Sequence, residues 1–286
     1  MTYNNVNYWR TIHRTHLAEI QTVGHPWLSE AFNLIKYSSE AETLSLLLRN
    51  FLEISDAETT FQFLDIGAGS GYWTHLLSQW LHTKKKTVRA TGLDLSPDAL
   101  DKLTRRLPWV ETLCADLRTI SPDKFEDRFD LVSAFYCLHH LVRISDFLNA
   151  LKFAARSVKP GGFLLLMDPV LTRPYSRFAT IDFKTWGGNG IPRHLYLIDD
   201  LLAECGFMRC KILPAVSFIL NGPIEASGFI SYNFLQVIWN ILQFIGRSQG
   251  CSRMMAYSLI KLDRWLKFKH LSFSSSLCLY RRALKR

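Results

Sequence analysis

Three glycines at alternate positions, Gly67, Gly69 and Gly71, follow an acid, Asp65, near the end of an apolar run made by Phe61, Phe63, Leu64 and Ile66. Glycine accepts positive φ and lets a ligand approach bare backbone. Tyr72 to Leu81 then resumes at helical period, and a helix starting there offers unpaired N–H groups to anything negative. Two more acids close later apolar runs, Asp94 after Val88–Leu93 and Asp116 after Val110–Cys114. Asp94 stands 23 residues past Gly71. A parallel α/β fold holds a ribose diol at about that place, since a carboxylate can accept from both hydroxyls. A histidine pair, His139–His140, follows a fourth run, Phe129–Leu138, and imidazole can move a proton near neutral pH. The residue types describe a nucleotide-binding corner with a candidate base beside it.

The spacing discriminates between nucleotides. The dinucleotide fingerprint G-x-G-x-x-G puts its last glycine where this chain has Tyr72, and no Gly-Lys-Ser/Thr follows to make a phosphate loop. The pattern D-x-G-x-G-x-G over Asp65–Gly71 instead resembles the first motif of the class I S-adenosylmethionine (SAM) dependent methyltransferases. Asp130-Leu131-Val132 with Leu138-His139-His140-Leu141 resembles that family's fourth motif, and four motifs stand in family order over Phe61–Pro169.

The resemblance implies SAM as cofactor, S-adenosylhomocysteine as its product, and no metal. It implies that Asp65, Gly67, Ala68, Gly69 and Gly71 form the cofactor turn, with Asp94 and Leu95 beside the ribose. Asp116 would bond the adenine amino group, Leu117 would pack on its ring, and Ala134 and Phe135 would meet the methionine part. Tyr37, on the helix leading into the first strand, is the expected lid contact to the cofactor. For an acceptor that must lose a proton, His139 is the expected base, with His140 as the alternative. Trp9, His13, His25, Tyr136, Asp168 and Trp186 are the substrate-side candidates, the last in a long Gly-rich connection from Asp168 to Tyr196.

Around these residues the chain divides into four parts. Residues 1–60 carry helical periodicity and many aromatics, as expected of a lid. Residues 61–213 alternate strand and helix signals: Ser96-Pro97-Asp98 opens a helix, and the fully apolar Phe163–Met167 reads as a strand covered on both faces. Residues 214–271 form an insertion where the family has a short hairpin, and 272–286 return as the last strand with a basic tail. The implied fold is a Rossmann-like α/β domain with a seven-stranded sheet whose last strand is antiparallel. Within the insertion Phe229–Gly246 is long enough to span a bilayer, but Asn233, Gln236, Asn240, Gln243 and Arg247 recur at 3-4-3-4 spacing. Burying those polar groups in lipid would cost about 1–3 kcal/mol each. An amphipathic helix that covers the pocket or docks on a bilayer is therefore expected.

Charge and cysteines bound the remaining possibilities. The net charge is +9, and residues 247–286 hold ten Lys and Arg against one acid, Asp263. That basic end admits an anionic partner, either a membrane surface or nucleic acid. No Asn/Asp-Pro-Pro-aromatic follows the fourth strand, which disfavours a base methyltransferase that holds a flipped base. The six cysteines show no C-x-x-C pair, and MTYNNVNYWR has no signal-peptide pattern, so a cytosolic protein with reduced thiols is expected. The leading expectation is methyl transfer to O, N or C of a small hydrophobic molecule. A lipid- or quinone-like acceptor at a membrane and a SAM-binding subunit without chemistry are the alternatives.

Overall fold

The computed structural model describes residues 5–15, 25, 27–52, 60–84, 87–172, 190–225, 229–268 and 275–284. Two helices, α1 (Asn5–Thr15) and α2 (Glu30–Phe51), precede the first strand. The chain then runs β1 (Thr60–Ile66), α3 (Tyr72–Thr83), β2 (Thr87–Asp94), α4 (Pro97–Arg106), β3 (Glu111–Cys114), β4 (Phe129–Phe135), α5 (Ile144–Ser157) and β5 (Val158–Leu171). It continues through β6 (Arg193–His194), α6 (Leu195–Glu204), β7 (Phe207–Pro214), α7 (Phe218–Asn221), α8 (Phe229–Arg247), α9 (Gln249–Phe268) and β8 (Ser275–Arg282).

The main sheet has the order β3-β2-β1-β4-β5-β8-β7, and β6 adds a short pairing to β5. Neighbours from β3 to β5 are parallel, whereas β8 is antiparallel to both β5 and β7. Strand order reverses between β1 and β4, so the turns leaving these two strands diverge and open a crevice at their carboxyl ends. The family-type sheet expected from the sequence is present, including its antiparallel last strand.

Strand alternation sorts the core. Phe63, Leu131, Leu165 and Leu279 face one layer with Tyr37, Leu44 and Leu48 of α2 and Leu77 of α3. Their chain neighbours Leu64, Val132, Leu164 and Tyr280 face the other, with Phe147, Leu151 and Phe153 of α5 and Leu202 of α6. The central strands β4 and β5 are covered on both faces, which is why their sequences read as near-continuous apolar runs, whereas β3 and β7 at the sheet edges are largely exposed or half-buried. Local signals fix the helix starts: Ser29 accepts from the Phe32 N–H, and Ser96 caps α4 with Pro97 as its first helical residue.

The α7–α9 segment, lying in sequence between β7 and β8, builds a third cluster on the lid. Leu28, Phe32 and Ile35 pack with Trp239 and Leu242 of α8 and Leu259 and Leu266 of α9. Polar bonds reinforce this seat. Lys267 Nζ donates to Ser39 O at 2.9 Å and to Thr43 Oγ1 at 2.9 Å, and the Asp263 carboxylate accepts from Ser39 Oγ and from Ser217 N at 2.7 Å. The solvent side of α8 is mixed, with Phe234, Val237, Ile241 and Phe244 exposed beside Asn233, Asn240 and Arg247. Among the described residues of this helix, Leu235, Trp239, Leu242 and Gly246 are buried and Ile238 packs beside them, a stripe narrower than the helix's apolar arc.

Asp65 locks the end of β1. It is 2 % exposed, and its two carboxylate oxygens accept from Thr74 Oγ1 and Ser133 Oγ, each at 2.6 Å, tying α3 and β4 to the turn. Burial pushes its pKa up to about 6, despite the two hydroxyl donors that pull it down. Because the folded value exceeds the unfolded one, this group's stabilising contribution is present at low pH and is lost as pH rises through the folded value. Asp65→Asn does not titrate. The stability of wild type minus variant is expected to fall by about 3 kcal/mol between about pH 4 and about pH 7, measured by denaturant unfolding at stepped pH. A pH-independent difference would contradict the buried, proton-hungry carboxyl.

Candidate active site

The glycine turn is built on the backbone of β2. The N–H groups of Gly67 and Ala68 donate to Leu93 O at 2.7 and 3.0 Å. Gly67 sits at φ +71°, and a Cβ placed on it would lie 2.6 Å from Cys137 Cβ, so the β4 exit leaves no room for a side chain. Gly69 N–H donates to Asp94 Oδ2 at 2.9 Å, and Ser96 N–H donates to Asp94 Oδ1 at 2.9 Å. Each carboxylate oxygen of Asp94 thus keeps a lone pair for a second donor, which is what a diol requires.

Asp94 lies in the wall of a cleft of about 860 Å³, its mouth included. The glycine turn from Gly67 to Gly69, Leu93–Leu95, Ala115–Leu117, Phe135–Cys137 and His140–Leu141 line it from the sheet side. Tyr72 and Trp73, the first residues of α3, close another wall, and Trp9 and His13 reach in from α1. Arg10 and Arg14 approach Asp98 of α4 at 3.9 and 3.6 Å, drawing α1 toward this corner, although exposed pairs of this kind are worth under about 1 kcal/mol. His13 is 3 % exposed, and its Nδ1 is buried with no hydrogen-bond partner. Burial lowers its pKa while Asp94 opposes the shift, so the ring is neutral at pH 7 and placed beside that carboxylate.

The acid on the next loop is already engaged. Asp116 accepts from Arg118 Nη2 at 2.6 Å and Nε at 3.0 Å, as well as from the Arg118 N–H at 2.9 Å. Burial would raise its pKa, but these Arg118 bonds prevail and hold it below the ordinary value. The exit of β4 is strained at Tyr136, a non-glycine residue at φ +52°. Its hydroxyl donates to Glu40 Oε1 at 2.7 Å, and Lys36 Nζ donates to the same oxygen at 2.6 Å. The Cys137 thiol is pushed well up by burial and by neighbouring carboxylates, so it is no nucleophile at neutral pH.

The histidines divide in a way their adjacency does not reveal. His139 Nδ1 lies 2.5 Å from Asp168 Oδ1, and the His139 N–H donates to Asp168 Oδ2 at 2.9 Å. Both line a smaller, separate cavity under Ile191 and Ser276. His140 faces the main cleft, with its ring 5.0 Å from Trp9 and 3.9 Å from the His139 ring. The sequence favours His139 as base, but the structure pairs it with a carboxylate behind the cleft and gives the wall to His140. The strand order accounts for the difference: β5 neighbours β4, so Asp168 at its end meets the first histidine after β4.

Other expected contacts fall elsewhere. Tyr37 is fully buried behind Tyr72 and Trp73, at 4.7 and 5.4 Å between ring centroids, so Tyr72 takes the wall position. Asp65 and Ala134 are core residues beneath the turn, and Gly71 begins α3 against Leu103 and Leu107. His25 packs on Trp239 and sits 3.3 Å from Leu220 O, where burial drives its pKa down to about 3, so it belongs to the α7–α8 seat. Trp186 lies outside the described residues. The cleft residues not anticipated are Tyr72, Trp73, Leu93, Ala115, Cys137 and Leu141. Tyr72 carried a readable signal, a large ring where a dinucleotide fold requires glycine. Among the described residues no cluster of His, Cys, Asp and Glu suits a metal ion.

Comparison with known proteins agrees with this geometry. A family model described as a methyltransferase domain matches residues 37–205, more than half of the chain. Phosphoethanolamine N-methyltransferase 2 of Haemonchus contortus, solved with S-adenosyl-L-methionine, superposes with a TM-score of 0.55 at 16% identity, over 97% of this chain and 60% of that one. An S-adenosylmethionine dependent methyltransferase from Mesorhizobium loti gives 0.51 at 14% identity, over 87% of this chain and 99% of the other. A non-reducing polyketide synthase, SAT8 of Stachybotrys chartarum, is 23% identical over 148 residues, which is 50% of this chain and 6% of that much longer protein. With the fold, the glycine turn and the matched segment in agreement, the chain belongs to the methyltransferase-domain family and has the fold of the class I SAM-dependent methyltransferases.

Proposed function

We propose that the cleft at the carboxyl ends of β1, β2 and β4 binds SAM, and that the enzyme methylates O, N or C of a small hydrophobic acceptor. The observation that carries the donor half is Asp94, held by the Gly69 and Ser96 N–H groups with a lone pair left on each oxygen. The chain's residues fit the cofactor on three independent counts. The bare Gly67 backbone has no space for a Cβ, the Asp94 carboxylate can take two hydroxyls, and His13 brings an unpartnered buried nitrogen to the same cleft. Leu95 and Leu117 supply apolar surface for a base, and Asp116 remains able to accept a further bond beside Arg118. Once bound, the cofactor supplies an electrophilic methyl on a sulfonium.

The protein's part is then positioning and proton handling. Trp9, Tyr72, Trp73 and Phe135 present an aromatic wall that suits an apolar acceptor and excludes water. Holding two reactants in line can supply roughly 7–11 kcal/mol of the barrier reduction. His140, on the wall and against the His139–Asp168 pair, is the group placed to take a proton from a hydroxyl or amine acceptor. A lipid- or quinone-like acceptor taken up at a membrane is the second reading, favoured by the exposed apolar side chains of α8.

Calorimetry with S-adenosylhomocysteine tests the donor half. Asp94→Ala and His13→Ala are each expected to weaken binding by about tenfold or more, the loss of a charged and a neutral hydrogen-bonding partner respectively. Unchanged affinity in Asp94→Ala would overturn the ribose assignment. For the base, His140→Ala should lower methyl transfer from labelled SAM by roughly a hundredfold across a panel of apolar phenols and amines, with cofactor affinity kept. Full turnover in that variant would reject His140.

A further inference from the structure

The inner face of the α8–α9 hairpin is spoken for by the third core cluster and by the Asp263 and Lys267 bonds to α2 and Ser217. Its outer face is not. Phe234, Val237, Ile241 and Phe244 recur at 3-4-3 spacing along α8 and are 62–82 % exposed. On α9, Met254, Tyr257 and Trp265 are each more than half exposed. Removing such side chains from water is favourable, and apolar stripes of this extent mark contact surfaces. The charge pattern beside them has one sign. Arg247, Arg253, Lys261 and Arg264 are exposed, Arg264 reaching Glu42 of α2 at 2.8 Å, while the acid of these two helices, Asp263, is fully buried.

We propose that this outer face docks on an anionic membrane surface. Two features select that occupant over a protein partner. Apolar side chains flanked by exposed cations, with no exposed acid on the two helices themselves, form the pattern of a helix lying in the headgroup plane. Tyr257 and Trp265 are amphipathic rings of the kind that settle at that depth, and Lys261 Nζ stands 4.2 Å over the Tyr257 ring, an arrangement that lets its apolar stem bury while the ammonium meets lipid phosphate. Among the described residues no helix is long and apolar enough to cross a bilayer, so a docked hairpin would lie in the interface rather than span it. Asn233, Asn240 and Arg247 on the adjoining edge stay in water. Docked this way, the enzyme would meet an acceptor dissolved in the lipid phase. The inference rests on the second reading of the acceptor and leaves the donor cleft untouched.

Vesicle flotation of the full chain tests it, with S-adenosylhomocysteine calorimetry and Tm as controls. Vesicles of phosphatidylcholine with phosphatidylserine should float the protein, and phosphatidylcholine alone should bind about tenfold more weakly or less. The double variant Phe234→Glu, Phe244→Glu should lose flotation. The double variant Arg253→Ser, Lys261→Ser should weaken it by about tenfold. Both should keep wild-type cofactor affinity and Tm, since the altered side chains are exposed. Absence of flotation by wild type, or flotation unchanged by the glutamates, overturns the proposal. So does a dimer in sedimentation that the same glutamates dissociate without any vesicle binding, which would make the face a contact between two copies. Flotation without S-adenosylhomocysteine binding would sink the donor assignment and leave this one standing, and the converse separates them the other way.

Discussion

The hydrogen bond from Gly69 N–H to the Asp94 carboxylate is the constraint around which the cleft forms. It joins the turn after β1 to the end of β2, and Ser96 N–H fixes the second oxygen of the same carboxylate. Both bonds need a parallel pairing of β1 with β2 in which Asp65 lies opposite Gly92, so that the two strands end level. They also need a turn whose backbone can approach closely, which the Cys137 contact enforces at Gly67. Charge-assisted bonds of this type are about twice as strong as neutral ones, and they leave the carboxylate oriented before any ligand arrives.

The rest of the site follows from what surrounds that corner. Asp65 anchors α3 and β4 from below, so the walls contributed by Tyr72, Trp73 and Phe135 are set by the same buried carboxyl that holds the turn. The lid lies across the opposite side. α1 brings Trp9 and His13 over the cleft, while α2 is sunk into the core and serves as the base for α8 and α9. Tyr136 connects the two regions: its strained backbone faces the cleft, and its hydroxyl is tied to Glu40 of α2. A shift in α2 would therefore be felt at the exit of β4.

Much of this was legible in the sequence because it depends on local pattern. Strand ends marked by Asp65, Asp94 and Asp116, the glycine spacing, and Ser96-Pro97 are short-range signals, and the antiparallel last strand is the one that the family resemblance implied. What was not legible depends on side-chain direction. Adjacent histidines look equivalent in a sequence, yet the turn after β4 sends His139 to Asp168, 29 residues away, and His140 to the cleft. Tyr37 and Tyr72 are both aromatic residues near the turn, and packing depth decided which one reaches the wall. The exposed apolar side chains of α8 were hidden for a related reason. Its polar residues form one stripe, but the surface it packs against is narrower than its apolar arc, which leaves Phe234 and Phe244 in solvent.

We propose that the glycine turn and Asp94 together form the SAM site, and a crystal structure of the protein with S-adenosylhomocysteine is the decisive test. Both ribose hydroxyls should lie on the Asp94 carboxylate, the adenine between Leu95 and Leu117, and His13 on the same side of the ligand as α1. A ligand seated away from Asp94, or one that leaves the Gly67–Gly69 turn uncontacted, would contradict it.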